Sequence, residues 1–360
     1  MMHSSVIGIA GAGLAGLTTA IGLAQSDQPV EVFEVAPDSG WWRKSAWDAV
    51  ENWTTEDDFM VLLDRWKIDH TFECRPICNF EVYDLQGECH SIRTPRPILY
   101  LVKRGNQPGA LEYGLKNQAL ECGVTIHYDQ RRSHPDVDVW AVGAQHKGQF
   151  LGAGIQFKTR HPDTVKLLIS SSHAPKAYAY LFIVDGQGLL SVTLTRNYAN
   201  ARMYLQHSLE FFRRVSPLNL DMEHIRFSSG FGGRGVDFWQ SGSTPLRVGE
   251  AAGLQDYLWG FGIRYALHSG YLAARAINEG LDYNQTVRMQ IHPLVHTSLL
   301  NRAVYNQADD HIYRLLIGWF SRSPKLIELL RRRYRASIPR QLLWLLRKTQ
   351  REPLTQGRYG

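Results

Sequence analysis

The stretch Val6-Ile-Gly-Ile-Ala-Gly11-Ala-Gly13-Leu-Ala-Gly16 decides how the rest of the chain is read. A short β-branched run ends in glycines spaced Gly-x-Gly-x-x-Gly, and a helix-forming stretch, Leu17 to Gln25, follows. Pro29-Val-Glu-Val-Phe-Glu-Val35 then alternates apolar and polar residues as a strand does. Strand, glycine turn, helix and strand within about 30 residues make the βαβ unit of a doubly wound parallel sheet. The first glycine allows the tight turn, the second lets a pyrophosphate reach the backbone, and the third lets helix and strand pack closely. The helix N-terminus adds free N–H groups and partial positive charge. Gly11, Gly13, Ala15 and Gly16 are therefore the candidate pyrophosphate contacts. Glu34 ends the second strand, 18 residues past Gly16, where an acid accepts hydrogen bonds from ribose hydroxyls. This much predicts a dinucleotide and leaves NAD and FAD both open.

Outward from this unit, residues 39 to 70 carry Trp41, Trp42, Trp47, Trp53 and Trp66 and read as helices and a loop over the cofactor. Arg43 and Lys44 lie in that loop, as cofactor contacts or as a solvated pair. Short strands dominate from Thr71 to Leu101, a helix spans Gly109 to Cys122, and strands follow at Gly123 to Tyr128 and Asp136 to Val142. Residues 151 to 196 alternate as strands, with a hairpin around Asp185-Gly186. A helix covers Ala199 to Val215, a last core strand Leu246 to Glu250, and a long helix Gly262 to Glu279. Beyond about 285 the chain reads as helical.

A second glycine-rich segment separates the two dinucleotides. Arg247-Val-Gly-Glu-Ala-Ala-Gly253 closes a strand, and Gly260-Phe-Gly262-Ile263 then opens a helix rich in Gly and Ala. An NAD enzyme has no use for such a segment. A flavin does, because its ribityl chain crosses the strand ends and a helix N-terminus can face the reduced ring. Gly249, Glu250, Gly260, Gly262 and Ile263 are the candidate contacts.

With these residues in place, the chain resembles the geranylgeranyl-reductase-like flavoproteins within the superfamily of FAD-dependent aromatic hydroxylases. The resemblance rests on Gly11 to Gly16, Glu34, Lys103-Arg104-Gly105, Gly249 to Gly253, and Tyr178-Ala-Tyr-Leu-Phe-Ile-Val-Asp-Gly186. It implies an α/β fold: a Rossmann-type FAD-binding domain, an inserted β-sheet substrate domain and a helical C-terminus. The boundaries expected are 1–72, 97–150 and 235–285 for the first, 73–96 and 151–234 for the second, and 286–360 for the third. It also implies that Arg104 contacts the pyrophosphate or ribityl chain, Glu250 the ribityl chain, and Gly260 to Gly262 the flavin ring. Three departures stand out. Glu250 replaces the usual aspartate, Leu258-Trp-Gly-Phe-Gly262 replaces a proline-bearing segment, and Tyr180 and Val184 stand where Trp and Pro are typical. Trp259 and Phe261 beside the flavin would narrow a pocket built elsewhere for long isoprenoids.

Candidates for the chemistry itself are thinner: Trp259, Phe261, Arg264 and Asp256, with Gln255, Tyr257 and His268 as further polar groups. For each polar one a hydrogen bond within the fold explains its presence equally well. No Ser-His-Asp or HExxH pattern occurs.

Composition bounds the remaining classes. Hydrophobic residues at 44% and charged residues at 21% describe an ordinary globular chain. The segment 322–351, where ten Lys or Arg face one acid, Glu328, carries more positive charge than the net +6, so the rest is slightly acidic. That segment mixes Arg with Leu326, Ile327, Leu329 and Leu330 at helical spacing, and Pro339 to Lys348 repeats the theme. It reads either as a helix packed on the body or as a basic amphipathic surface for an anionic membrane. No nucleic-acid recognition fold accompanies the charge. Cys74, Cys78, Cys89 and Cys122 form no CxxC pair, so reduced thiols and no metal site are expected. The apolar run Val6 to Ala24 lacks a charged leader and is broken by glycines, so neither a signal peptide nor a span is expected. A cytoplasmic chain follows, with peripheral attachment at the inner membrane face as the alternative.

The leading expectation is an FAD-dependent oxidoreductase passing hydride through flavin N5 to or from a prenyl- or polyene-like substrate, with NADPH a candidate transient donor. The alternatives are a flavin monooxygenase acting on an aromatic small molecule or a partner-protein side chain, and an FAD-containing membrane-attached interaction protein.

Overall fold

In the computed structural model the described residues are 6–43, 47–144, 148–216, 225–232 and 245–335. Lys44 and the second basic segment, Pro339 to Lys348, lie outside them.

The glycine-bearing unit forms as its residues dictate. Strand β1 (Ile7–Ala10) leads through Gly11, at φ +101°, into helix α1 (Leu14–Ala24) and returns as β2 (Val30–Phe33). A Cβ on Gly11 would lie 2.5 Å from the Ala141 carbonyl oxygen, so backbone and strand end touch there. The chain continues through β3 (Trp47–Glu51), α2 (Phe59–Arg65), β4 (Cys74–Ile77), β5 (Asn79–Tyr83), β6 (Cys89–Arg93) and β7 (Leu99–Lys103). Then come α3 (Leu111–Glu121), β8 (Thr125–His127) and β9 (Val139–Trp140), followed by β10 (Phe150–Lys158), β11 (Thr164–Leu168), β12 (Tyr178–Val184) and β13 (Gln187–Leu194). Helix α4 (Ala201–Val215), β14 (Arg226–Gly232) and β15 (Leu246–Arg247) precede the helical end: α5 (Ile263–Glu279), α6 (Tyr283–Gln290), α7 (His292–Gln307), α8 (Asp310–Ser321) and α9 (Leu326–Arg335).

Three sheets result. A parallel one runs β15-β9-β1-β2-β8, with β1 at its centre. A seven-stranded one runs β14-β10-β13-β12-β11-β5-β6, antiparallel except where β11 meets β5. A small antiparallel sheet, β3-β7-β4, is the third. The Trp-rich stretch is thus partly strand: Trp47 to Glu51 pairs with Leu99 to Lys103, a partner too distant for a local pattern to reveal. The hairpin between β12 and β13 turns where expected, with Asp185 at φ +50° and Gly186 at +73°, as a two-residue type I′ turn requires.

Small residues set the layer spacing over the parallel sheet. A Cβ on Gly270 of α5 would lie 2.5 Å from the Ala15 carbonyl oxygen of α1, and one on Gly22 would lie 2.7 Å from Ala274 Cβ. Thr19 Oγ1 donates to the Gly270 carbonyl at 3.2 Å across the same contact. The strand expected at Leu246 to Glu250 stops at Arg247, because Gly249 turns to φ +59° and a 3₁₀ turn, Gly249–Ala252, follows. Cys74, Cys78, Cys89 and Cys122 are all free. No helix among the described residues is long and apolar enough to cross a membrane.

Candidate functional site

One cavity, of about 1440 Å³, joins the glycine turn to the seven-stranded sheet. Ordinary ligand pockets run to roughly 300–1,000 Å³, so a dinucleotide and a second molecule can share this one.

Its polar end is the ends of the parallel strands. Gly11, Gly13 and Ala15 line it, and Gly13 has an extended backbone (φ −87°, ψ −174°) with nothing within 4 Å of where a Cβ would stand. Gly16 does not line it. Its hydrogen faces the turn, where a Cβ would fall 1.9 Å from the Gly11 carbonyl oxygen. The first-turn amides of α1 have no acceptor within the helix. Glu34 also faces the cavity, its carboxylate accepting from Ala12 N at 2.8 Å and Ala36 N at 2.9 Å. The same end is lined by Gln130, Arg131 and Arg132, with the Arg132 guanidinium 4.0 Å above the Phe33 ring. Sequence reading missed these three; they follow β8, and only its pairing with β2 brings them beside Glu34.

Further along, Gly249, Glu250, Gly260, Gly262 and Ile263 line the wall, as do Arg43 and Arg104. Glu250 Oε1 sits 3.4 Å from where a Cβ on Gly232 would lie and 3.7 Å from one on Gly262, so glycines flank the carboxylate on two sides. Arg104 is 4% exposed and already engaged. Its Nε and Nη2 donate to Glu112 Oε1 at 2.8 and 2.6 Å, and its Nη1 donates to Asp48 Oδ2 at 2.6 Å. Burial alone would lower its pKa; Glu112 and Asp48 outweigh that and hold the guanidinium above its ordinary value. Arg104 therefore sets the cavity wall through Glu112 and Asp48.

The other end is apolar and ring-rich. Trp259 lies edge-on between Tyr178 and Tyr305, at centroid distances of 5.8 and 5.6 Å, and Phe261 meets Trp53 at 5.6 Å. Tyr178, Tyr180 and Phe182 of β12, Phe80 and Val82 of β5, and Ile317 and Phe320 of α8 complete that wall. The Tyr178 hydroxyl donates to the Trp259 carbonyl. Burial pushes the Tyr178 phenol up to about 12 and raises Tyr180 as well, so neither acts as a base near neutrality.

Of the four candidates for chemistry, Trp259 and Phe261 face the cavity; Asp256 and Arg264 do not. Asp256 is fully buried: its Oδ1 accepts from Leu258 N and Trp259 N at 2.8 and 2.7 Å, and Tyr334 Oη donates to its Oδ2. Arg264 donates to Glu51 Oε1 at 3.1 Å and to Thr55 Oγ1 at 2.7 Å, fastening α5 to β3. Gln255, Tyr257 and His268 are likewise outside the cavity; Tyr257 donates to the Gly253 carbonyl at 2.9 Å, and His268 stacks on Trp66 at 5.3 Å.

No protein-family model matches the chain, and no curated protein matches it by sequence. Solved structures do. A geranylgeranyl bacteriochlorophyll reductase-like protein from Thermoplasma acidophilum superposes with a TM-score of 0.69 at 15% identity, over 94% of this chain and 98% of that one. A flavin-dependent brominase gives 0.62 at 15% identity, over 96% and 98%. The p-nitrophenol 4-monooxygenase of Pseudomonas putida gives 0.56 at 16%, over 95% and 98%. The chain has the fold these proteins share: a Rossmann-type sheet, a second, larger sheet and a helical C-terminus.

Proposed function

We propose that the protein is an FAD-dependent oxidoreductase acting on a largely apolar, prenyl- or polyene-like substrate. The observation that carries this reading is a single cavity running from a dinucleotide-type glycine turn to an aromatic, apolar chamber. The residues fit FAD. Gly13 leaves open the space a pyrophosphate needs, Glu34 stands at the ribose position, and Glu250 is flanked by glycines where a polyhydroxyl chain would pass. When bound, FAD supplies two-electron redox chemistry. The chain's own residues orient and enclose. The α1 N-terminus and Glu34 would hold one end of the cofactor, and Gly260 to Gly262 would allow close backbone approach at the other. Trp259, Phe261 and Tyr178 would exclude water from the apolar partner and orient it.

The same ring-rich wall suits a flat aromatic molecule, which favours a monooxygenase as the second reading. One experiment separates the two: the visible spectrum of the purified protein, taken anaerobically with NADPH and then in air. Flavin bands that bleach and return quickly with oxygen uptake support the monooxygenase. Bands that persist with NADPH, and bleach only with another donor, support the reductase or dehydrogenase. Absence of flavin bands even after FAD is added overturns both.

The apolar substrate would be met at an anionic membrane surface. Helix α8 is apolar on two faces: Tyr313 and Ile317 are buried, while Ile312, Leu315, Leu316 and Trp319 are 39–57% exposed at helical spacing. Ile312 and Leu316 also line the cavity, so its rim lies on this stripe. Arg314, Arg322 and Lys325 flank it in sequence. A stripe of this kind rimmed by cations matches an interfacial helix.

A further inference from the structure

The hairpin of β5 and β6 carries a cluster that the cofactor site does not use. Val82 pairs with His90 and Tyr83 with Cys89, so the next rung sets Asp84 opposite Glu88. Alternate residues of a strand share a face, and this register puts Asp84, Glu88 and His90 on one side of the sheet. Cys89, between the last two, falls on the other. The turn is held by Asp84 itself, whose Oδ1 accepts from Glu88 N at 2.9 Å while Gly87 N donates to its carbonyl at 3.1 Å. One oxygen of each carboxylate and a ring nitrogen of His90 lie within 4.8 Å of one another, with His90 Nε2 3.8 Å from Glu88 Oε1.

Two of the three groups are buried, and each has one polar atom left without a partner. Asp84 is 1% exposed and His90 9%, and neither Asp84 Oδ2 nor His90 Nε2 has a hydrogen-bond partner. Buried polar atoms without partners are a net cost, and each calls for an explanation. Here a buried carboxylate oxygen and a buried imidazole nitrogen lie close to an exposed carboxylate.

We infer that Asp84, Glu88 and His90 form a binding site for a divalent transition-metal ion of the zinc class at the tip of the β5–β6 hairpin. Nitrogen and carboxylate oxygen are zinc's ordinary donors, with bonds of about 2 Å, so donors sharing one ion stand no more than about 4 Å apart. The His90–Glu88 distance meets that already, and no pair of the three donor atoms is more than 4.8 Å apart, so the closure left is under about 1 Å. The fourth position would take water. The ion gives Asp84 Oδ2 and His90 Nε2 their missing partner and cross-links the two strands at the turn end of the hairpin. The same face, one and two rungs further, carries Val82, Ile92 and Phe80, which line the cavity. The metal thus anchors part of the chamber wall from outside it. None of the four cysteines takes part.

The test uses tag-free, full-length protein, stripped with chelator, desalted and titrated calorimetrically with Zn²⁺, with thermal melting alongside. The expected result is one equivalent bound per chain and a melting temperature that rises with Zn²⁺. Outer-sphere partners of a metal alone are worth about 10–100-fold in affinity, so Glu88→Gln, which removes a ligand, should weaken binding by at least about tenfold. Asp84→Asn and His90→Gln should do the same, and Cys89→Ser should change nothing. Glu88 is exposed, so its variant folds even where a change at buried His90 does not, and it decides the matter alone. No Zn²⁺ binding by the wild type, or binding unchanged in Glu88→Gln, overturns the site. Flavin content plays no part in the readout, so the result is independent of the cofactor reading.

Discussion

Tyr334 of α9 donates its hydroxyl hydrogen to the Asp256 carboxylate, joining the last described helix to the turn after the second glycine-rich segment. Both groups are buried. Burial pushes the Asp256 pKa up to about 6, against the hydrogen bonds from Tyr334 and Trp259 that pull it down. The folded state therefore holds this proton more tightly than the unfolded chain, where an aspartate titrates near ~3.9. Its contribution to stability is full below that value and is lost as pH rises through about 6. Measured by urea unfolding, wild type should lose on the order of 1–3 kcal/mol relative to Asp256→Asn between pH 4 and pH 7. Parallel pH profiles for the two proteins would refute it.

The second and third glycines of the first turn should fail in different ways. Gly13→Val adds atoms to open space on a backbone any residue adopts, so the melting temperature should hold while FAD affinity drops about tenfold or more, roughly 1.4 kcal/mol per tenfold. Gly16→Ala drives a methyl into the Gly11 carbonyl and should cost stability, on the order of 1–3 kcal/mol. Flavin fluorescence titration and thermal melting on both variants distinguish these effects.

Arg104 and Glu112 are 5% and 3% exposed in their side chains and neutralise each other. Arg104→Met should cost about 3–5 kcal/mol, because it strands a buried carboxylate. Adding Glu112→Gln should recover part of that loss. A strictly additive double mutant in denaturant unfolding would show that the pair is not coupled.

If the α8 stripe meets a membrane, Leu315→Ser with Trp319→Ser should reduce co-sedimentation with phosphatidylglycerol vesicles by more than half and leave flavin content unchanged. Both side chains are more than half exposed, so folding should be unaffected. Arg322→Glu with Lys325→Glu should weaken the same binding by roughly 1 kcal/mol per charge removed, in low salt. Equal binding by all three proteins would remove the membrane from the proposal.

What could be read from the chain alone was whatever a few neighbouring residues enforce. The turn at Gly11 to Gly16, the acid at Glu34, the Asp185-Gly186 hairpin and the small-residue helix after Gly262 are local demands of backbone geometry and close packing, and each occurs where the residues called for it. The identity of the cavity wall is not local. Trp259 and Phe261 face the chamber while Asp256 and Arg264, a few residues away, are consumed by Tyr334, Glu51 and Thr55. Those partners come from elements up to about two hundred residues apart in sequence, and no periodicity near residue 260 announces them. The Trp47 to Glu51 strand and the Asp84–His90 cluster were likewise settled by pairing register. Sequence determined the parallel sheet and its glycine turn, because those follow from φ angles, alternation and small side chains. Tertiary structure decided which polar groups are free to act, because a buried polar residue takes its role from whichever partner the fold brings to it.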